Sequence, residues 1–115
     1  MSVRTDIAAA VDAIDGISCS PEYVQGTETG LAFVQIERFA YPSTLDEKTY
    51  WQVFVMLPVD RAQAERFIEA KAPLLKAALD RTIMWVTEIR AQFTQFEPGG
   101  PALPTLVVSG HRETE

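Results

Sequence analysis

The ten residues "TYWQVFVMLP", 49 to 58, contain no charged side chain, although the chain that holds them has a formal net charge of −6. At strand periodicity Trp51, Val53, Val55 and Leu57 fall on one face, and Tyr50, Gln52, Phe54 and Met56 on the other. A strand this apolar on both faces cannot sit at a water-facing surface. It needs cover on each side, from layers of the same chain or from another copy. Pro58 ends the run, and Asp60 then stands three residues before Gln63, the spacing of an N-cap and capping box ahead of a long helical pattern. A strand here feeds a helix.

The length of 115 residues suits one domain, able to bury roughly two thirds of the surface its unfolded chain exposes. We expect that domain over residues 1–110, with a polar tail at 111–115. Sixteen acidic against ten basic residues disfavour nonspecific nucleic-acid binding, which depends on cations that displace phosphate counterions. Cys19 is the single cysteine, so no intrachain disulfide or cysteine metal cluster can form. The opening "MSVRTDIAAAVDAIDG" has aspartates inside its apolar pattern, and no stretch reaches the 18 or so apolar residues of a membrane span. A soluble protein without an export signal is expected.

Val3, Ile7, Val11 and Ile14 recur at helical spacing, with Gly16 as a stop signal. Residues 17–30, with Pro21 and Gly26, read as a loop in which "EYV" at 22–24 pairs briefly. "LAFVQIERF" from Leu31 and the run from Thr49 make an antiparallel hairpin with a long tip. From about Arg61 to Leu79, Ala64, Ile68, Ala72, Leu75 and Leu79 form a helical stripe widened by Phe67, Leu74 and Ala78. Pro73 inside it predicts a kink or two abutting helices near residues 70–73. In residues 82–96, Ile83, Trp85, Thr87, Ile89, Ala91 and Phe93 alternate with Met84, Val86, Glu88, Arg90, Gln92 and Thr94. "TLVVSG" supplies the last strand after the turn at Gly99 and Gly100. The fold expected is α/β of the α+β kind, in the order α-β-β-α-β-β. Its four-stranded sheet is antiparallel or mixed, with two helices packed on one face. The opposite face then holds Phe33, Tyr50, Phe54, Met84 and Val86, more apolar material than water tolerates, so another chain is expected to cover part of it.

The chemistry-bearing residues do not converge. His111, the only histidine, falls in the expected tail, and no Ser-His-Asp or Cys-His device can be assembled around it. Cys19 follows a helix rather than preceding one, so nothing lowers its pKa. Asp12 and Asp15 read as a solvated helix face. "PGGP" at 98–101 lacks the Lys and Ser or Thr of a phosphate loop. Trp51 and Trp85 read as core or subunit packing. Glu88 and Arg90 read first as ordinary surface charge, and can also pair across a sheet or between subunits. No catalytic residue, metal ligand or cofactor is expected. The candidate interface is Phe33, Tyr50, Phe54, Met84, Glu88 and Arg90.

The first helix ending in "AIDGI", the hairpin around "YPSTLDEKTYWQVFVML", the helix after "VDRAQAE" and the paired final strands together resemble the tail terminator proteins of tailed bacteriophages. The likeness covers nearly the whole chain in element order and size. It implies a structural virion protein at the head–tail junction, assembled in the host cytoplasm. In such a protein a homo-oligomeric ring, hexameric in the family, caps the tail tube protein and joins it to the head-side connector or stopper. DNA passes through that ring without specific binding. By position, the resemblance places contacts at the 41–50 hairpin and along the strands at 88–96 and 103–108. Two readings stand beside it: an adaptor for one protein partner, and a small ferredoxin-like enzyme acting on an apolar substrate.

Overall fold

The computed structural model describes residues 3–40 and 47–114. Seven elements follow in the order α1 (Val3–Asp12), β1 (Ser18–Ser20), β2 (Leu31–Ala40), β3 (Glu47–Met56), α2 (Arg61–Leu79), β4 (Trp85–Gln95) and β5 (Ala102–Thr114). The class is α+β. The strands form one mixed five-stranded sheet in the order β1-β2-β3-β5-β4. β1 runs parallel to β2 and every other pairing is antiparallel.

The strand beyond the expected four is β1, which is Ser18–Ser20 rather than "EYV". It forms because the chain doubles back at Gly16 and Gly30, both at positive φ. A Cβ on Gly30 would lie 2.1 Å from the Gly16 carbonyl oxygen, and Gly30 also accepts a hydrogen bond from the Ser18 N–H at 2.9 Å. Only glycine permits that approach.

Both helices pack on one face of the sheet. Ile7 and Val11 of α1, Leu75 and Leu79 of α2, and Val34, Val53, Val55, Leu106 and Val108 of the sheet share one core. In α2, Asp60 caps the N-terminus by accepting from the Gln63 N–H at 3.0 Å. The helix continues as one element through Pro73 rather than breaking into two. Pro73 and Glu69 are exposed, so the carbonyl that the proline leaves unbonded is open to water. Leu74, expected to widen the buried stripe, is 47% exposed.

The face away from the helices is covered in part by the chain itself. Phe33, Phe54, Met56 and Val107 form a second buried cluster, with Val24, Leu31, Phe96 and Leu103 packed against it. Tyr23 meets Phe33 edge-on with centroids 5.0 Å apart, and Phe96 meets Phe33 and Phe54 edge-on, each at 5.3 Å. The segments after β1 and after β4 thus close over the apolar half of this face. Full burial of each large side chain is worth about 1.5–3 kcal/mol. The apolar run at 49–58 therefore finds most of its cover within its own chain.

Candidate interface

Six residues were expected to share an open sheet face, and the structure divides them. Phe33 is fully buried and Phe54 is 5% exposed, both beneath Tyr23 and Phe96. Met84 is 2% exposed and belongs to the core on the helix side. Those three offer no surface to a second chain as the chain is folded here. Tyr50, Glu88 and Arg90 do come together, lining a shallow polar depression of about 250 Å³ with Arg38, Gln52 and Ser109.

The separation of Met84 and Val86 from Glu88 and Arg90 has a local cause. The β4–β5 register shifts between Val86 and Glu88, leaving Thr87 as an extra residue whose hydroxyl donates to the Ser109 carbonyl at 3.1 Å. One inserted residue exchanges the two faces of a strand. Val86 and Ile89 therefore both pack toward the helices, whereas unbroken alternation sets them on opposite sides. Gly110, paired with Val86, makes room for this: a Cβ there would lie 2.5 Å from the Trp85 carbonyl oxygen and 2.9 Å from the Met84 sulfur.

His111 is not in a tail. β5 runs to Thr114, and within it His111 pairs with Tyr50 on one side and Trp85 on the other. Its ring lies 5.4 Å from that of Tyr50, which the Arg38 guanidinium covers at 4.2 Å. Trp85 is 53% exposed, with the Arg81 guanidinium 5.5 Å from its ring, and so is not core; Trp51 is. The Glu88–Arg90 contact, 3.1 Å, lies within one strand, with both side chains more than half exposed. An ion pair so placed contributes at most about 1 kcal/mol. Asp12, read as solvated, is exposed, and it also accepts from the Cys19 N–H at 2.9 Å, which ties the end of α1 to β1. Burial, and secondarily the Asp12 charge, pushes the Cys19 thiol up to about 12, the opposite of an activated nucleophile. Among the described residues no three His, Cys, Asp or Glu side chains group as metal ligands.

A larger, mostly apolar opening lies elsewhere, between the start of α2 and the edge strand β4. It is a groove of about 520 Å³ walled by Leu57, Val59, Ala64, Ile68, Ala91 and Phe93. Val59 is 92% exposed and Phe93 76%. Sequence reasoning did not select this site, because Phe93 alternates correctly with its neighbours whether β4 is central or terminal. Val59 was the available signal. An apolar residue just before an N-cap usually packs onto the first helical turn, and here it does not. Of the expected hairpin contact at 41–50, residues 41–46 lie outside the described residues.

No known protein family, curated protein or solved structure matches this chain. The class that the fold and these surfaces define is an α+β domain whose sheet is covered by helices on one face and in part by its own loops on the other, with an apolar opening beside one sheet edge.

Proposed function

We propose that this chain is a structural assembly subunit of the tail-terminator kind, whose copies ring the end of a phage tail tube and join it to the head-side connector. The observation that carries the reading is the opening beside β4. The chain covers one sheet face with its helices and the apolar half of the other with its own loops, yet leaves Val59 and Phe93 in water, the placement expected of contacts that are completed by assembly. The element order that resembles the terminators supplies the particular assembly. In this reading the activity is mechanical: a closed ring stops tube growth and leaves a passage for DNA. A charge of −6 per copy disfavours adhesion of a sliding phosphate backbone.

The test is to mix the purified protein with tail tubes that have intact ends and to image them by electron microscopy. Rings seated on tube ends, and tubes that no longer elongate, support the proposal; tube ends that stay bare overturn it. The adaptor reading draws on the same open groove and differs in outcome, giving a one-to-one complex with a partner and no ring.

A further inference from the structure

We infer that two copies of this chain join their sheets edge to edge, β4 against β4, antiparallel about a two-fold axis at Ala91. Among the described residues β4 is the terminal strand of the sheet, paired only with β5. The direction of its free groups follows from one contact. The Thr105 hydroxyl donates to the Gln92 carbonyl at 3.0 Å, and Thr105 is the β5 partner of Gln92. The Gln92 carbonyl therefore points into the sheet, and by antiparallel alternation Ile89, Ala91 and Phe93 direct their N–H and C=O groups outward.

Proteins usually block such an edge with a proline, a bulge or a cover. Here the bulge at Thr87 interrupts the N-terminal end only, and from Glu88 to Gln95 the pairing is regular and β4 itself holds no proline. Glu88 and Arg90, the two charged residues of β4, pair with each other on the face away from the helices. Ile89, Ala91 and Phe93 face the helix side, where the apolar groove begins.

The occupant follows from the other edge of the sheet. There β1 lies beside Leu31–Phe33, and the Arg4 guanidinium donates to the Val34 carbonyl at 3.0 Å. Beyond β1 that edge offers only residues 34–40 of β2, shorter than the eleven residues of β4. The other edge therefore does not match β4 along its whole length, whereas β4 matches itself, which is an isologous two-fold contact.

The side chains choose the register. A two-fold axis at Ala91 sets Ile89 opposite Phe93 on the helix side, an aliphatic–aromatic pair, and Arg90 opposite Gln92 on the other side. An axis at Arg90 opposes two like charges, and an axis at Gln92 sets Ile89 against Gln95. At Ala91 the outward N–H and C=O of each copy meet their counterparts, and Phe93 leaves water to lie against its neighbour. This goes beyond the proposed function, since it concerns the free protein before a tube end is present.

Sedimentation of the wild-type protein over a concentration series reaching the high micromolar range should show a monomer–dimer equilibrium. Directly opposed residues of this kind have Cα atoms about 5.5 Å apart, within disulfide range. Ala91→Cys in a Cys19→Ser background should therefore form a covalent dimer on mild oxidation, and Gln95→Cys should not. Phe93→Glu, at an exposed position, should weaken dimerisation at least tenfold with an unchanged circular dichroism spectrum. A wild-type protein that stays monomeric throughout overturns the inference. So does a dimer or ring that neither cross-links at residue 91 nor responds to Phe93→Glu. None of these outcomes depends on tube capping, so this contact and the terminator reading can fail separately.

Discussion

Phe33 stacks on Phe54 directly across the β2–β3 ladder, with ring centroids 5.4 Å apart and 25° between the ring planes. Edge-on contacts from Tyr23 and Phe96 complete the cover, so the pair is core rather than contact surface. Phe54→Asp should accordingly cost at least about 3 kcal/mol, from the lost aromatic burial and the unpaired carboxylate. Urea denaturation followed by circular dichroism measures it. A folded variant that only dissociates into smaller species would show that Phe54 lies at a subunit contact. Tyr23→Ala should cost less, about 1 kcal/mol, because it removes one edge-on contact from a ring that is already half exposed.

Gly110 lies beneath the bulge that reverses the faces of β4. In Gly110→Ala the new methyl meets the Trp85 carbonyl oxygen at 2.5 Å and the Met84 sulfur at 2.9 Å. The sulfur can swing aside, but the backbone carbonyl cannot without displacing β4. We expect a loss of about 1–3 kcal/mol, seen as a lowered urea midpoint. Weakened amide protection around Val86 and Thr87 should accompany it.

Cys19 should be slow to react. With its thiol pushed up to about 12 by burial and by Asp12, little thiolate exists at pH 8, and a disulfide reagent should modify the native protein far more slowly than the urea-unfolded chain. The linkage has a definite sign. Between about pH 9 and 12 the unfolded thiol has lost its proton and the native one has not, so the native state binds more protons and this group's contribution to stability falls as pH rises. Below pH 9 both states are protonated and the contribution is constant. Comparing wild type with Cys19→Ala over this range isolates the effect: the variant should lose stability less steeply. Parallel curves would refute the shift.

Much of the local structure was legible in the sequence. The capping spacing of Asp60 and Gln63, the stripe through Leu75 and Leu79, and the alternation through Trp51, Val53 and Val55 depend on neighbours within a turn or two. The physics of those elements is local, and the structure has each of them. The apolar run at 49–58 likewise required cover on both faces wherever it lay in the fold.

What covers that run was decided only by tertiary structure. Phe96 is far from Phe33 and Phe54 in sequence, Tyr23 sits in the loop before β2, and nothing periodic in their segments marks them as a lid. The extra residue at Thr87 was equally hidden, because a bulge is set by how β4 meets Gly110 of β5, not by either strand alone. His111 read as tail by its position near the end, yet it pairs with Tyr50 and Trp85, and β5 runs on to Thr114. Whether a strand is central or terminal is a property of the whole sheet. The sequence by itself determined which segments are apolar and how they alternate. The tertiary structure alone decided that β4 is the edge and that Phe93 stands in water, because strand order depends on pairings between residues distant in the chain, and each segment's pattern is compatible with several such orders.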